Sequence, residues 1–207
     1  MYISDIKKDK KHLNKILLSS GDEILIDVDV CIEKGISVND GIDEDFIKQL
    51  KDESEYKRAK SRALWYLDRM DYTENALYQK LIRAGFDKKA CAKVVAWCVE
   101  FGLVDDRRYA ERFALRCSES NISKREAIQK MYAKGISAEL AKEVWDETET
   151  DEQSQLKALI EKKYANKLTA ENGTQKVFSA LIRKGFSYGA VKEAMKKYCE
   201  ELEFYED

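Results

Sequence analysis

Twelve basic side chains in the middle of the chain have the types and density to engage a charged partner: Arg58, Lys60, Arg62, Arg69, Arg83, Arg107, Arg108, Arg112, Lys124, Arg125, Lys130 and Lys134. Guanidinium and ammonium groups crowded in this way can meet acidic protein patches or the phosphates of DNA. Tyr66, Tyr72 and Tyr109 stand among them and could stack on unpaired bases. The competing reading is plainer: solvated helix faces with charges paired one turn apart, and aromatic rings packed into a core. Lys134 and Lys184, each just ahead of a glycine, also suit the last carbonyls of a helix. Residues 57–134 hold 18 Lys/Arg against 10 Asp/Glu, whereas residues 40–55 and 200–207 are strongly acidic. The net charge of −2 therefore conceals a basic middle between acidic ends.

Catalytic constellations are missing. Asp105 and Asp106 are adjacent carboxylates, but a metal nuclease needs acidic ligands converging from separate segments, and Asp105 is placed to cap a helix. His12 is the lone histidine, so neither a triad nor a zinc site can be built on it. The recurring glycines follow helices instead of opening them, which is the wrong order for a phosphate loop. Five cysteines (Cys31, Cys91, Cys98, Cys117, Cys199) fall mostly on apolar helix faces and read as small buried hydrophobes in a reducing compartment. The expectation is a protein without enzymatic activity, cofactor or metal. It has no apolar run long enough for a signal peptide or a membrane span, and is expected to be cytoplasmic.

The elements that carry the basic residues follow from a fifty-residue period. Residues 73–86 (TENALYQKLIRAGF) return at 123–136 and again at 173–186, with Gly85, Gly135 and Gly185 at equivalent places. Thr73 and Ser123 can cap the N-terminus of a helix, with Gly173 as a tolerated cap in the third copy. The glycine twelve residues later suits the left-handed position that ends it. Asp87, Ser137 and Ser187 can then cap the next helix. Leu77, Tyr78, Leu81 and Ile82, then Ala127, Ile128, Met131 and Tyr132, then Val177, Phe178, Leu181 and Ile182, form apolar stripes at helical spacing that are expected to fill the inner face. An additional helix precedes each pair, presenting Ala63, Leu64, Trp65, Leu67 and Met70, then Tyr109, Ala110, Phe113 and Ala114, then Leu156, Leu159, Ile160 and Tyr164. Trp65, Trp97 and Trp145 are expected in packing.

The chain has 207 residues, no proline and 37% charged side chains, a composition that favours amphipathic helices. Residues 2–6, 12–18 and 23–26 read as a small antiparallel meander, followed by a short helix that Asp27 can cap and Gly35 can end. Asp43 can start a helix with Phe46, Ile47 and Leu50, and a separate one is expected from about Ser54 to Met70. The predicted fold is mainly α: three tandem three-helix repeats forming an elongated curved array, after a small N-terminal β/α segment. The expected divisions are 1–53 for that segment, 54–104, 105–150 and 151–207 for the repeats, the last with an acidic tail.

The strings RALWYLDRMDYTENALYQKLIRAGF, FGLVDDRRYAERFALRC and SKREAIQKMYAKGIS resemble the RecX regulatory proteins, bacterial modulators of the RecA recombinase. The likeness covers roughly residues 58–198, and its centre, Gly-Leu-Val-Asp-Asp-x-x-Tyr-Ala, runs from Gly102 to Ala110. The third copy is the most diverged. The resemblance implies a negative regulator of homologous recombination and the SOS response. Such a protein lies in the groove of the RecA filament on single-stranded DNA and inhibits its ATPase, strand-exchange and coprotease activities. The partner implied is that nucleoprotein filament, possible contact with single- or double-stranded DNA being left open, and the protein is expected to act as a monomer away from membranes. The alternative is a helix-turn-helix-like regulator acting on DNA directly, with Lys88, Lys89 and Lys93 on its reading helix.

Overall fold

The computed structural model describes residues 1–9, 12–168 and 170–206, with side chains followed through residue 198. Cys199 and the acidic residues 200–207 lie outside the described side chains. The chain divides into two compact units, Met1–Val104 and Asp105–Asp207.

The first unit opens with strands β1 (Ile3–Lys8), β2 (Leu13–Leu18) and β3 (Glu23–Asp27), an antiparallel sheet with β2 in the centre. Ile16 pairs with Ile6 on one side and Ile24 on the other. Apolar residues at alternate positions put Ile16, Leu18, Ile24 and Ile26 on the buried side. Asp27 then caps α1 (Val28–Glu33) by accepting from the Asp29 amide. Asp43 caps α2 by accepting from Phe46 N.

Where two helices were expected there is one: α2 runs unbroken from Glu44 to Leu67. Ser54, the expected start of the second helix, is 2% exposed, and its hydroxyl accepts from the Asp27 amide at 2.8 Å. Its oxygen serves the strand end, so no helix starts there. The N-terminal half of α2 gives Ile47 and Leu50 to the sheet's core. Its C-terminal half gives Ala59 and Ala63 to a second core with Leu77, Leu81, Cys91, Val94 and Cys98.

That second core belongs to the first three-helix unit, completed by α3 (Glu74–Arg83) and α4 (Lys88–Glu100). Thr73 accepts from Ala76 N, and Asp87 from the amides of Lys89 and Ala90. Gly85, at φ +90°, carries the chain out of α3. Its amide donates to Ile82 O and that of Phe86 to Leu81 O, which satisfies the carbonyls left over at the helix end. Leu77 and Leu81 are fully buried, each contributing about 1.5–3 kcal/mol of transfer free energy.

The second unit repeats the device twice. In α5 (Asp106–Glu119), α6 (Lys124–Ala133) and α7 (Ala138–Glu147), the caps Asp105, Ser123 and Ser137 accept from the amides of Arg108, Glu126 and Leu140. Ala110, Ala114, Ala127, Met131, Val144 and Trp145 fill the core. The third triplet is α8 (Glu152–Lys163), a one-turn α9 (Ala165–Leu168), α10 (Gly173–Arg183) and α11 (Tyr188–Glu206). Here Gly173 is not the cap. Asn172 takes that place in the left-handed region without a side-chain bond. Gly173 is the first helical residue, where a Cβ would run into the carbonyl oxygens of Lys167 and Leu168. The glycine is there because α9 lies against it.

Repeats two and three are fastened together. Ser123 Oγ donates to Lys184 O at 2.6 Å, and buried Gln155 donates to Ser118 O at 3.1 Å. A Cβ on Gly185 would stand 2.8 Å from Ser123 Oγ and 2.9 Å from Arg125 Cβ, so this turn is pressed against the start of α6.

Candidate partner-binding surface

The predicted basic residues fall on both compact units, and their surroundings sort them. On the first unit, Arg58, Arg62 and Arg69 follow one side of α2 and its exit, at the spacing that puts residues on one helix face. Arg58 lies 3.4 Å from Glu55 and near the Phe86 ring. Lys60 Nζ sits 3.7 Å from the centre of the Trp97 ring. Arg62 and Arg69 lie near Trp65, their guanidinium carbons 5.5 and 3.6 Å from its ring centre. Arg69 also donates to Trp65 O at 2.7 Å, closing the end of α2. Arg83, exposed at the end of α3, has no ion pair among the described residues.

On the second unit, Arg107 is committed internally. Its guanidinium bonds Glu111 at 3.1 Å on its own helix, and Glu143 at 2.7 Å and Glu147 at 2.6 Å on α7. Those carboxylates, Glu143 first, hold its proton more firmly than usual. An arginine neutralised by three acids is a strut between α5 and α7 before it is anything else. Arg108 and Arg112 are exposed on α5. Lys124 pairs with Asp146 and Lys130 with Glu126. Lys134 Nζ lies 5.7 Å from the Phe113 ring centre. Arg125 is exposed with no ion pair among the described residues, at the rim of a cleft of about 740 Å³ between repeats two and three. Ile128 and Trp145 contribute its apolar wall and Thr148 and Ser187 polar groups.

The aromatic expectations divide in the same way. Trp145 is buried, and Trp97 packs against the first triplet's core with Phe101 at 5.0 Å. Tyr66 and Tyr72 are half-buried on that core, and Tyr109 stacks on Phe113. Trp65 is not in packing: it is 46% exposed, beside Leu64 at 41% and Met70 at 58%. The small residues Ala59 and Ala63 take the core positions of α2 and leave these large ones outside. The sequence signal was available in the alternation of small and large apolar residues, but the helical period alone does not say which face is inner.

The helix-turn-helix alternative fares less well. Lys89 at the start of α4 lies 3.5 Å from Asp52, and Glu55 accepts from the Asp87 amide beside it. Carboxylates at that helix N-terminus oppose a phosphate there. Asp105 serves as a cap, and no three acidic, histidine or cysteine side chains gather as a metal site among the described residues. Cys31, Cys91, Cys98 and Cys117 are free, buried thiols whose pKa burial pushes up. None is poised as a nucleophile. Among the described residues, no helix is long and apolar enough to cross a membrane.

Residues 59–98 match the first three-helix domain of RecX, and residues 149–195 match its third. The chain is 27% identical over 207 residues to the regulatory protein RecX of Clostridium botulinum (strain Alaska E43 / Type E3), covering 97% of this chain and 95% of that one. It is 29% identical over 197 residues to the RecX of Streptococcus pneumoniae serotype 19F (strain G54), covering 94% and 76%. A crystal structure of regulatory protein RecX superposes with a TM-score of 0.72 at 21% identity, over 94% of this chain and 98% of that one. The crystal structure of RecX from Lactobacillus salivarius gives 0.63 at 20% identity, over 69% and 96%.

Proposed function

The chain belongs to the RecX family, and from that premise we propose that it is a negative regulator of RecA, restraining homologous recombination and the SOS response. It binds the RecA filament on single-stranded DNA along its groove, and inhibits ATP hydrolysis, strand exchange and coprotease activity by obstruction. It does so as a monomer in the cytoplasm. The observation that supports this most is a set of exposed arginines with no ion pair among the described residues, Arg62, Arg83 and Arg125, on two capped three-helix units of one chain. A repeating polymer meets a repeated module. Once one unit is bound, the others bind intramolecularly, so contacts that are weak singly add up.

The test is RecA-catalysed, single-strand-dependent ATP hydrolysis titrated with this protein. The rate should fall as protein is added, and Arg83→Glu with Arg112→Glu and Arg125→Glu should shift the titration to higher concentrations with helicity unchanged. A full titration with no effect on hydrolysis would refute the regulator reading. Unchanged inhibition by the triple variant would remove these arginines from the contact surface.

A further inference from the structure

The exposed indole at the end of α2 is poorly explained as packing. Trp65 is 46% exposed, while the core beneath is built by Ala59 and Ala63. With Leu64 and Met70, both exposed near it in the chain, the ring belongs to an apolar group at the surface, the kind of feature that marks a contact. Its surroundings say what kind. Arg69 lies against the ring at 3.6 Å and Arg62 stands near it at 5.5 Å, one helical turn before. Tyr66 meets Trp65 edge-on at 5.3 Å, Tyr72 follows at 6.1 Å, and Lys80 stands 5.4 Å from the Tyr66 ring. Residues 57–83 carry seven Lys/Arg against three Asp/Glu. A ligand suited to this patch presents a flat π face and negative charge within a single building block. A nucleotide does so, and only in a single strand is the base face uncovered.

We infer that Trp65, with Arg62 and Arg69 beside it, is a stacking site for one base of single-stranded DNA, the arginines holding the adjacent phosphates. The patch lies wholly within the first compact unit. This contact needs no RecA, so it stands or falls separately from the regulator reading. Arg62 has no carboxylate partner among the described residues and is available to phosphate. Arg69 has a second duty at the helix end, so Arg62 is the cleaner residue to test.

The experiment compares a short oligothymidylate with an abasic strand of the same length, by anisotropy of labelled strand and by the protein's own fluorescence. Trp145 is buried and Trp97 partly covered by Lys60, so quenching by thymidylate should come mainly from Trp65 and largely vanish in Trp65→Phe. Trp65→Ala should weaken thymidylate binding about 5- to 150-fold, the range for loss of one base stack. Trp65→Phe should restore part of that affinity, and the abasic strand should bind weakly to every form. Arg62→Gln should weaken binding and reduce the log–log salt slope by about 0.7, as loss of one phosphate contact requires. Equal affinity for the two strands, unchanged affinity in Trp65→Ala, or no binding of thymidylate by the wild-type protein would each overturn the assignment. If Trp65→Ala impairs RecA inhibition while thymidylate binding stays intact, the patch contacts protein and the assignment fails. Inhibition of RecA by wild-type protein without strand binding would sink this site alone.

Discussion

Ser123→Ala should cost about twice what Ser137→Ala costs, although both remove a serine from the same kind of position in the same compact unit. Ser137 is exposed, and its hydroxyl accepts from Leu140 N to cap α7. Losing a serine cap costs typically about 1 kcal/mol. Ser123 caps α6 in the same way through Glu126 N, but it is fully buried and its own proton goes to Lys184 O at 2.6 Å. That second bond adds about 1 kcal/mol net. The expected totals are therefore about 1 and about 2 kcal/mol. For a unit of this size, the difference corresponds to a further drop of about 4–8 °C in the melting midpoint. The reporter is Trp145, 4% exposed in this unit's core. It is followed through thermal and urea unfolding in a background where Trp65 and Trp97, both in the other unit, are phenylalanine. If the two variants lose the same stability, the Ser123–Lys184 bond contributes nothing to joining repeats two and three. That joint would then rest on packing and the Gln155–Ser118 bonds.

Gly85→Ala and Gly185→Ala place the same methyl group at φ near +90°, with open space around the first and Ser123 Oγ and Arg125 Cβ within 3 Å of the second. Urea unfolding should show about 1–2 kcal/mol lost at Gly85 from backbone strain, and about 1–3 kcal/mol more at Gly185 from overpacking; equal losses would refute the close approach. Arg107→Gln should lower the second unit's melting midpoint in dilute buffer, because it releases Glu111, Glu143 and Glu147. These pairs are exposed, so the difference should fade near 1 M salt, where the Debye length falls to about 3 Å. The Asp151 carboxyl is held below its usual pKa by the Ser154 hydroxyl, then by the amides of Ser154 and Gln153. A pKa lowered in the folded state gives stability that is full above the ordinary aspartate range and is lost as pH falls through the depressed value. Asp151→Asn should therefore flatten the acid limb of the second unit's midpoint-against-pH curve below about pH 4; an unchanged limb would contradict this.

Local chemistry was the legible part of this fold. Caps and stops depend on a few neighbouring residues, which is why Thr73, Asp87, Asp105, Ser123 and Ser137 could be placed from the sequence and why Gly85, Gly135 and Gly185 mark helix ends at positive φ. What stayed illegible involves distant groups. Ser54 does not start a helix because its hydroxyl is engaged by a strand end 27 residues away. Gly173 answers to the backbone of α9, an element no periodicity announced. Gln155, a polar residue buried in the third triplet, is there because Ser118 accepts from its amide. The basic cluster was visible as composition, but which members are already neutralised was not. Arg107 meets acids 36 and 40 residues on. Trp65 was expected inside because a helical stripe has two candidate sides, and only the neighbours show which one alanine fills.

Helix α2 holds membership in two cores at once, the sheet's through Ile47 and Leu50 and the first triplet's through Ala59 and Ala63. Its 24 residues make a rod of about 36 Å. A rod clamped at two places has no hinge between them, so the sheet and the first triplet are held in one fixed relation. A loosened sheet, for instance through Ile16→Ala, should free the root of the rod while Ala59 and Ala63 keep the end that carries Trp65 in place. The little β-meander then steadies a helix whose far end belongs to another core.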